Sequence, residues 1–223
     1  MKTVLVTGAN RGIGLALARR FSARGDRVIA ACRKASAELE ATGAQVEAGV
    51  DVTDAGALAA LAERLGDTRI DVLVCNAGIL AREVLGGIDD AGFDAMRHQF
   101  EVNTLGPLRT VQALLDRLGE GSRVGIITSR MGSMADNGSG GYYGYRASKA
   151  AVNAVGKSLA MDLKPRGIDV FLLHPGFVST DMVDNAGEIS PEASAAQLVE
   201  RLDTLASADS GGFWHANGSP LPW

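Results

Sequence analysis

Tyr145 and Lys149 stand four residues apart in the run Tyr145-Arg146-Ala147-Ser148-Lys149. On a helix, that spacing puts both side chains on one face. A free phenol has a pKa of about 10 and is a poor base near neutrality. A neighbouring ammonium favours the phenolate and makes the phenol a better proton donor to a developing alkoxide. The Y-x-x-x-K spacing alone is weak, because it recurs on ordinary helix surfaces. A second feature gives it weight. Thr7-Gly8-Ala9-Asn10-Arg11-Gly12-Ile13-Gly14 carries glycines spaced G-x-x-x-G-x-G between an apolar run and a helical pattern. The glycines permit a tight turn and let backbone N–H groups approach a pyrophosphate, and the helix N-terminus adds its positive dipole end. The turn predicts a dinucleotide held on Gly8, Asn10, Arg11, Gly12, Ile13 and Gly14.

Which dinucleotide is read from the second strand. An acid ending that strand, about 20 residues on, would bind a free ribose 2′-hydroxyl. The strand instead runs Val28-Ile29-Ala30-Ala31-Cys32-Arg33-Lys34. The Arg33 guanidinium suits a 2′-phosphate through charge-assisted bonds, and Arg11 in the turn offers a second cation. The expected cofactor is NADP(H), with NAD(H) the lesser alternative.

These residues need a scaffold, and the chain alternates short apolar runs with helical stretches from end to end. Strands are expected at Thr3–Thr7, Arg27–Ala31, Gln45–Gly49, Asp71–Cys75, Arg123–Thr128, Asp169–His174 and Gly212–Trp214. Continuous runs such as Val72-Leu73-Val74 suggest strands buried on both faces, as in a parallel sheet. Helices are expected at Gly12–Arg24, Ala35–Thr42, Ala55–Leu65, Asp90–Leu118, Tyr142–Lys164 and Pro191–Leu205. Asp54 and the Ser190-Pro191 pair read as helix starts. Gly25, Gly43, Gly66, Gly119 and Gly167 read as helix ends. The order implies an α/β fold: one Rossmann-type, doubly wound parallel sheet of about seven strands, with helices on both faces. Residues 1–223 are read as one dinucleotide-binding domain. Ligands of such sheets sit beyond the carboxyl ends of the strands, so the chemistry should follow strands.

Composition excludes several classes. Of 223 residues, 46% are hydrophobic and 22% charged, which is neither a disordered nor a membrane composition. The formal charge of −4, with no basic run, argues against a nucleic-acid partner. No apolar run spans a bilayer, and Met1-Lys2-Thr3-Val4 enters a strand with no signal-peptide pattern. Cys32 and Cys75 give no disulfide framework, so a cytoplasmic location is expected. No cluster has metal-ligand spacing. His98 and His215 read as surface or packing residues, and His174 as a strand-end filler.

Taken together, the chain resembles the short-chain dehydrogenase/reductase family, in its C-factor-like and small carbonyl-reductase branch. The matching residues are the glycine turn, Asp51-Val52, Asn76-Ala77-Gly78, Asn103, Ser129, Tyr145 with Lys149, and Pro175-Gly176 with Thr180. They arrive in the family's order and cover nearly the whole chain. The resemblance implies hydride transfer between a nicotinamide and a small carbonyl or alcohol substrate. Tyr145 is then the general acid/base, and Ser129 holds the substrate oxygen. Lys149 binds the nicotinamide ribose and lowers the Tyr145 pKa. Asn103 holds a water in a proton relay from Lys149. Asp51 and Val52 meet the adenine, and Asn76, Ala77 and Gly78 line the cofactor cleft. Pro175, Gly176, Val178 and Thr180 position the nicotinamide carboxamide and phosphates.

Two departures stand out. Cys75 replaces a frequent second Asn, and Ser133 competes with Ser129 as the catalytic serine. Ser129 is preferred because it ends its strand and precedes Gly132 by three. Only Val183–Ser190 separates Thr180-Asp181-Met182 from the last helix, which implies an open pocket and broad substrate choice. A homodimer through Asp90–Leu118 and Tyr142–Lys164 is expected. The branch also supplies a rival reading, a dinucleotide-binding signalling or regulatory module with little catalysis.

Overall fold

The computed structural model describes residues 1–223. Seven strands form one sheet: β1 (Thr3–Thr7), β2 (Arg27–Ala31), β3 (Gln45–Glu47), β4 (Val72–Cys75), β5 (Arg123–Ile127), β6 (Asp169–His174) and β7 (Phe213–His215). Their order across the sheet is β3-β2-β1-β4-β5-β6-β7, and every pairing is parallel. Around it lie α1 (Gly12–Ala23), α2 (Ala37–Glu40), α3 (Ala55–Leu65), α4 (Asp90–Phe100), α5 (Gly106–Ala113), α6 (Tyr143–Leu163) and α7 (Pro191–Thr204). This is the Rossmann-type α/β architecture that the alternating pattern requires.

Side chains alternate across the sheet with period two, so each strand feeds two cores. Val4 and Val6 of β1 face Leu17 and Phe21 of α1 and Leu198 and Leu202 of α7. Leu5 faces the other way, with Leu58 and Leu61 of α3, Val111 of α5 and Val152 of α6. These residues are all buried. Chain direction across the sheet reverses between β1 and β4, which opens the crevice at their carboxyl ends.

Helix ends follow local chemistry. Asp54 accepts from the Gly56 and Ala57 N–H groups at the start of α3, and Ser190 accepts from Ala193 N at the start of α7. Gly25, Gly43, Gly66 and Gly167 are left-handed, as helix-ending glycines are. Gly119 is not; its N–H instead donates to Ser122 Oγ at 3.0 Å.

The long helix expected over 90–118 is broken. Between α4 and α5 the backbone widens into a π-turn at Glu101–Leu105, where the Gly106 N–H reaches back five residues to the Glu101 carbonyl. Pro107 explains the break: it has no N–H to give the Asn103 carbonyl, and its ring crowds that position. Val102 and Asn103 thereby lose their ordinary α-helical partners.

Candidate active site

A cleft of about 740 Å³ lies over the carboxyl ends of the strands. The turn between β1 and α1 supplies Gly8, Asn10, Arg11, Gly12, Ile13 and Gly14. The end of β2 supplies Arg33, the segment after β3 Asp51 and Val52, and the segment after β4 Asn76, Ala77 and Gly78. Ser129 follows β5, Tyr145 and Lys149 come from α6, and Pro175, Gly176, Val178 and Thr180 follow β6. Every site residue expected from the sequence therefore lines one cleft, except Asn103.

The glycine turn has the form of an anion cradle. No side chain caps α1, and no acid occupies its first turn, so its N–H groups face the cleft without an internal partner. Gly14 is forced by space: a Cβ there would lie 2.2 Å from the Gly8 carbonyl oxygen and 2.6 Å from Asn76 Nδ2. Asn76 fixes that wall. Its side-chain amide donates to the carbonyls of Thr7 (3.0 Å) and Gly8 (3.2 Å), and its N–H donates to Thr7 Oγ1 (3.0 Å). β4 is thus bolted to the turn across the switch point.

At the β3 end of the cleft, burial disfavours the Asp51 charge. Hydrogen bonds from the Thr53 backbone and hydroxyl, helped by Arg33 and His98, outweigh that and hold its pKa below the usual value. Arg11 spans the cleft to Asp181, 3.6 Å away, in an exposed pair of small energetic weight. An anion in the cleft can therefore take over Arg11 at little cost. Uncapped N–H groups, a space only glycine fits and two guanidinium groups, one loosely paired and one unpaired, suit a phosphorylated dinucleotide.

At the other end, Ser129 and Tyr145 line the cleft together, and the Ser129 hydroxyl acts on the phenol. Ser133 does not compete: it is off the cleft, buried, with Oγ accepting from Asp136 N at 3.1 Å. Lys149 Nζ donates to the Ile127 carbonyl at 2.9 Å and sits 5.7 Å from the Tyr145 ring centre. The electrostatics differ from the sequence expectation that Lys149 lowers the Tyr145 pKa. Burial raises that pKa to about 12, and only the Ser129 hydrogen bond works against it. Burial also pulls Lys149 down to about 8, which weakens the cation on which the expectation relied.

Asn103 stands behind the wall rather than in it. Its amide donates to the Ile79 carbonyl (2.8 Å) and Ser148 Oγ (3.1 Å), and its Oδ1 accepts from Ile79 N (2.9 Å). With the side chain committed, the group Asn103 has left is the carbonyl that Pro107 deprives of its helical donor.

Other residues here were given no functional role from the sequence, His174 and His215 being read as packing or surface residues. His174 and His215 end β6 and β7, line the cleft and meet edge to face with ring centres 4.9 Å apart. Burial, then the His215 and Arg130 charges, push His174 down to about 3, so it is neutral. Its placement directly before Pro175 at a strand end was the available signal. Glu83 and Gln99 are buried beside the N-terminus of α6, and no motif pointed to them.

The short chain dehydrogenase family profile matches residues 2–190. The chain belongs to that family and is an NAD(P)-dependent oxidoreductase acting on CH–OH or C=O groups. It is 47% identical over 229 residues to a Rhodococcus sp. (strain AD45) protein, 1-hydroxy-2-glutathionyl-2-methyl-3-butene dehydrogenase, with all of both chains covered. It is 40% identical over 156 residues to the C-signal of Myxococcus xanthus, covering 69% of this chain and 93% of that one. In structure it is similar to an NADPH-bound carbonyl reductase from chicken fatty liver. The TM-score is 0.90 at 29% identity, with 100% of this chain and 99% of the other covered. No helix is long and apolar enough to cross a membrane.

Proposed function

We propose that the protein is an NADP(H)-preferring reductase/dehydrogenase that uses Tyr145 as general acid/base. The observation that carries this reading is the buried Ser129–Tyr145–Lys149 group lining the same cleft as the glycine cradle. The nicotinamide, when bound, supplies or accepts the hydride. The chain's own residues do the rest. The α1 N-terminus, Arg11 and Arg33 hold phosphate groups. Asp51 and Val52 receive the adenine. Ala77, Gly78, Pro175, Gly176, Val178 and Thr180 position the remainder of the cofactor. Ser129 and Tyr145 both direct hydroxyls at the substrate oxygen. Tyr145 gives its proton as the oxygen becomes an alkoxide, and Lys149 restores it, with a water on the Asn103 carbonyl completing the relay. A phenol held near 12 is protonated before reaction, which favours carbonyl reduction at neutral pH.

The substrate is read more coarsely. After β6 the chain folds on itself, with Ser179 N donating to the Ile189 carbonyl at 2.9 Å, and leaves Phe177 and Met182 exposed. This supports an open mouth and a substrate whose apolar part reaches outside the cleft. The Rhodococcus relative's name describes an alcohol with a bulky glutathionyl arm, a shape such a mouth accommodates. Exposed Phe93, Phe100 and Met161 on α4 and α6 support pairing of two copies through those helices. A purely regulatory dinucleotide-binding role is not favoured, since it leaves the buried Tyr145–Lys149 pair without a purpose.

A screen of aldehydes, ketones and a glutathionyl alcohol, run with NADPH and NADH in parallel, tests both halves of the proposal. NADPH-dependent turnover of several substrates is expected; no turnover with any would overturn the catalytic reading. Arg33→Ala should lower kcat/KM for NADPH by about 10- to 100-fold, the loss of one charge-assisted phosphate contact. The NADH value should stay nearly constant. Equal losses with both cofactors would remove Arg33 from the 2′-phosphate.

The pH profile follows from Lys149. Below its pKa of about 8 it is an ammonium able to reprotonate Tyr145; above, it is a neutral amine able to accept a proton. Carbonyl reduction should therefore decline as pH rises through about 8, and alcohol oxidation should rise over the same interval. Profiles of kcat measured in both directions give the check; parallel movement of the two limbs would contradict the relay.

A further inference from the structure

We infer that Glu83, held by Gln99, is a positioning residue that caps the Tyr145-bearing helix from a neighbouring loop and so sets where the phenol points. The inference rests on the acid/base role proposed for Tyr145.

Helices α3, α4 and α7 are capped by the side chain of their own N-cap residue: Asp54, Asp89 and Ser190. Helix α6 is not. Its N-cap is Tyr142, which makes no capping bond and sits in the left-handed region at φ 53°, an uncommon conformation for a bulky residue. The missing acceptor comes from the segment between β4 and α4. Glu83 Oε2 accepts the Gly144 N–H at 3.2 Å, one residue before Tyr145. Its other oxygen accepts from Gln99 Nε2 at 2.6 Å, and Gln99 Oε1 accepts from Ala81 N at 2.9 Å. Gln99 is completely buried and Glu83 nearly so.

The direction of each hydrogen bond is fixed by chemistry. A carboxylate can only accept, each Glu83 oxygen is engaged, and both of its partners are donors. Position 144 allows no slack. A Cβ there would lie 2.6 Å from Gln99 Nε2, 2.7 Å from Met96 Cγ and 2.9 Å from Glu83 Oε1. The adjacent Arg82 adds a second grip, its guanidinium 5.9 Å from the centre of the Tyr142 ring. One loop therefore fixes the start of α6 at two positions, Tyr142 and Gly144, and Tyr145 inherits the result.

The pattern specifies its own rescue. Glu83→Gln must turn an NH2 toward one of two donors, so it loses one bond and gains a repulsion. The exchange Glu83→Gln with Gln99→Glu restores every bond. The amide oxygen at 83 accepts from Gly144, its NH2 donates to the new carboxylate, and that carboxylate still accepts from Ala81. Carbonyl-reduction kcat of E83Q and E83A should fall about 10- to 100-fold, the scale of an ångström-sized misplacement of a reacting group. NADPH affinity by fluorescence titration should hold within about twofold, since the cradle lies elsewhere. The exchange variant should recover kcat to within about threefold of the parent, the non-additivity expected of directly coupled residues.

Parental kcat in E83Q and E83A overturns the clamp. So does a parallel fall of kcat, NADPH affinity and melting temperature that the exchange fails to reverse, since that is a merely structural network. If E83A does not fold, E83Q and the exchange carry the test. Tyr145→Phe run alongside separates the two readings: retained turnover there removes the acid/base role itself, whatever Glu83 does.

Discussion

Tyr145→Phe lowers kcat for carbonyl reduction by about 10³-fold, within the usual range for removing a positioned general acid, while NADPH binding is kept. The ring is buried and stays so in the variant, because only the hydroxyl is removed. Ser129 retains the hydrogen bond that its Oγ accepts from Met131 N at 3.1 Å, so the strand end does not reorganise. Lys149 retains its bond to the Ile127 carbonyl and with it its place in the cleft. What is lost is the proton for the developing alkoxide, and the 2-hydroxyl pair of Ser129 and Tyr145 becomes a single donor. The expected signature is unchanged fluorescence titration by NADPH with turnover near background. A variant that still turns over would transfer the acid role to another group, whereas unchanged biological function in a variant that has lost turnover would revive the regulatory reading.

Burial also gives the position a stability signature that the sequence could not provide. The Tyr145 pKa in the folded chain lies above that of a free phenol, so the folded state holds the proton more tightly over roughly pH 10 to 12. Stability from this group is full below that window and declines as pH rises through it. Lys149 has the opposite sign: its lowered pKa means the unfolded chain binds more protons between about 8 and 10.5, so its contribution improves as pH rises there.

The scaffold was largely legible because its signals are local. An apolar run bounded by polar residues defined Thr3–Thr7 and Asp169–His174 to the residue. A side-chain oxygen before a helix defined Asp54 and Ser190. Cleft residues were legible through the family's motifs, which sit in sequence beside the strands that present them. What escaped depends on contacts between distant segments. Glu83 and Gly144 are 61 residues apart, and nothing near Glu83 announces a cap. His174 and His215 meet only because β6 pairs with β7. The burial that raises the Tyr145 pKa escaped because a neighbour at i+4 is visible in sequence and desolvation is not. The break at Glu101–Leu105 was an exception, since Pro107 stood in the sequence as a helix breaker.

Gly14→Ala abolishes useful cofactor affinity, raising the NADPH Kd by at least about 10²-fold, as the loss of two charge-assisted backbone contacts would. Gly14 is not among the left-handed glycines, so alanine suits its backbone and, as a better helix former, offers about 1 kcal/mol in favour. Space decides against it. The new methyl would meet the Gly8 carbonyl oxygen at 2.2 Å and Asn76 Nδ2 at 2.6 Å. Neither gives way easily, because one is backbone and the other is held by the carbonyls of Thr7 and Gly8. The turn must open, and its N–H groups leave the positions a pyrophosphate needs. Overpacking of this kind costs about 1–3 kcal/mol, so the melting temperature falls by only a few degrees. Gly43→Ala is the matching control. Gly43 has φ 73° and nothing within 4 Å of a Cβ, so the substitution strains the backbone without crowding it. It should cost stability of similar size and leave the Kd for NADPH unchanged. If both variants bind NADPH like the parent, the G-x-x-x-G-x-G turn is a structural bend and the pyrophosphate lies elsewhere. If only Gly14→Ala fails to bind, the affinity resides in the closeness of that turn to the end of β4.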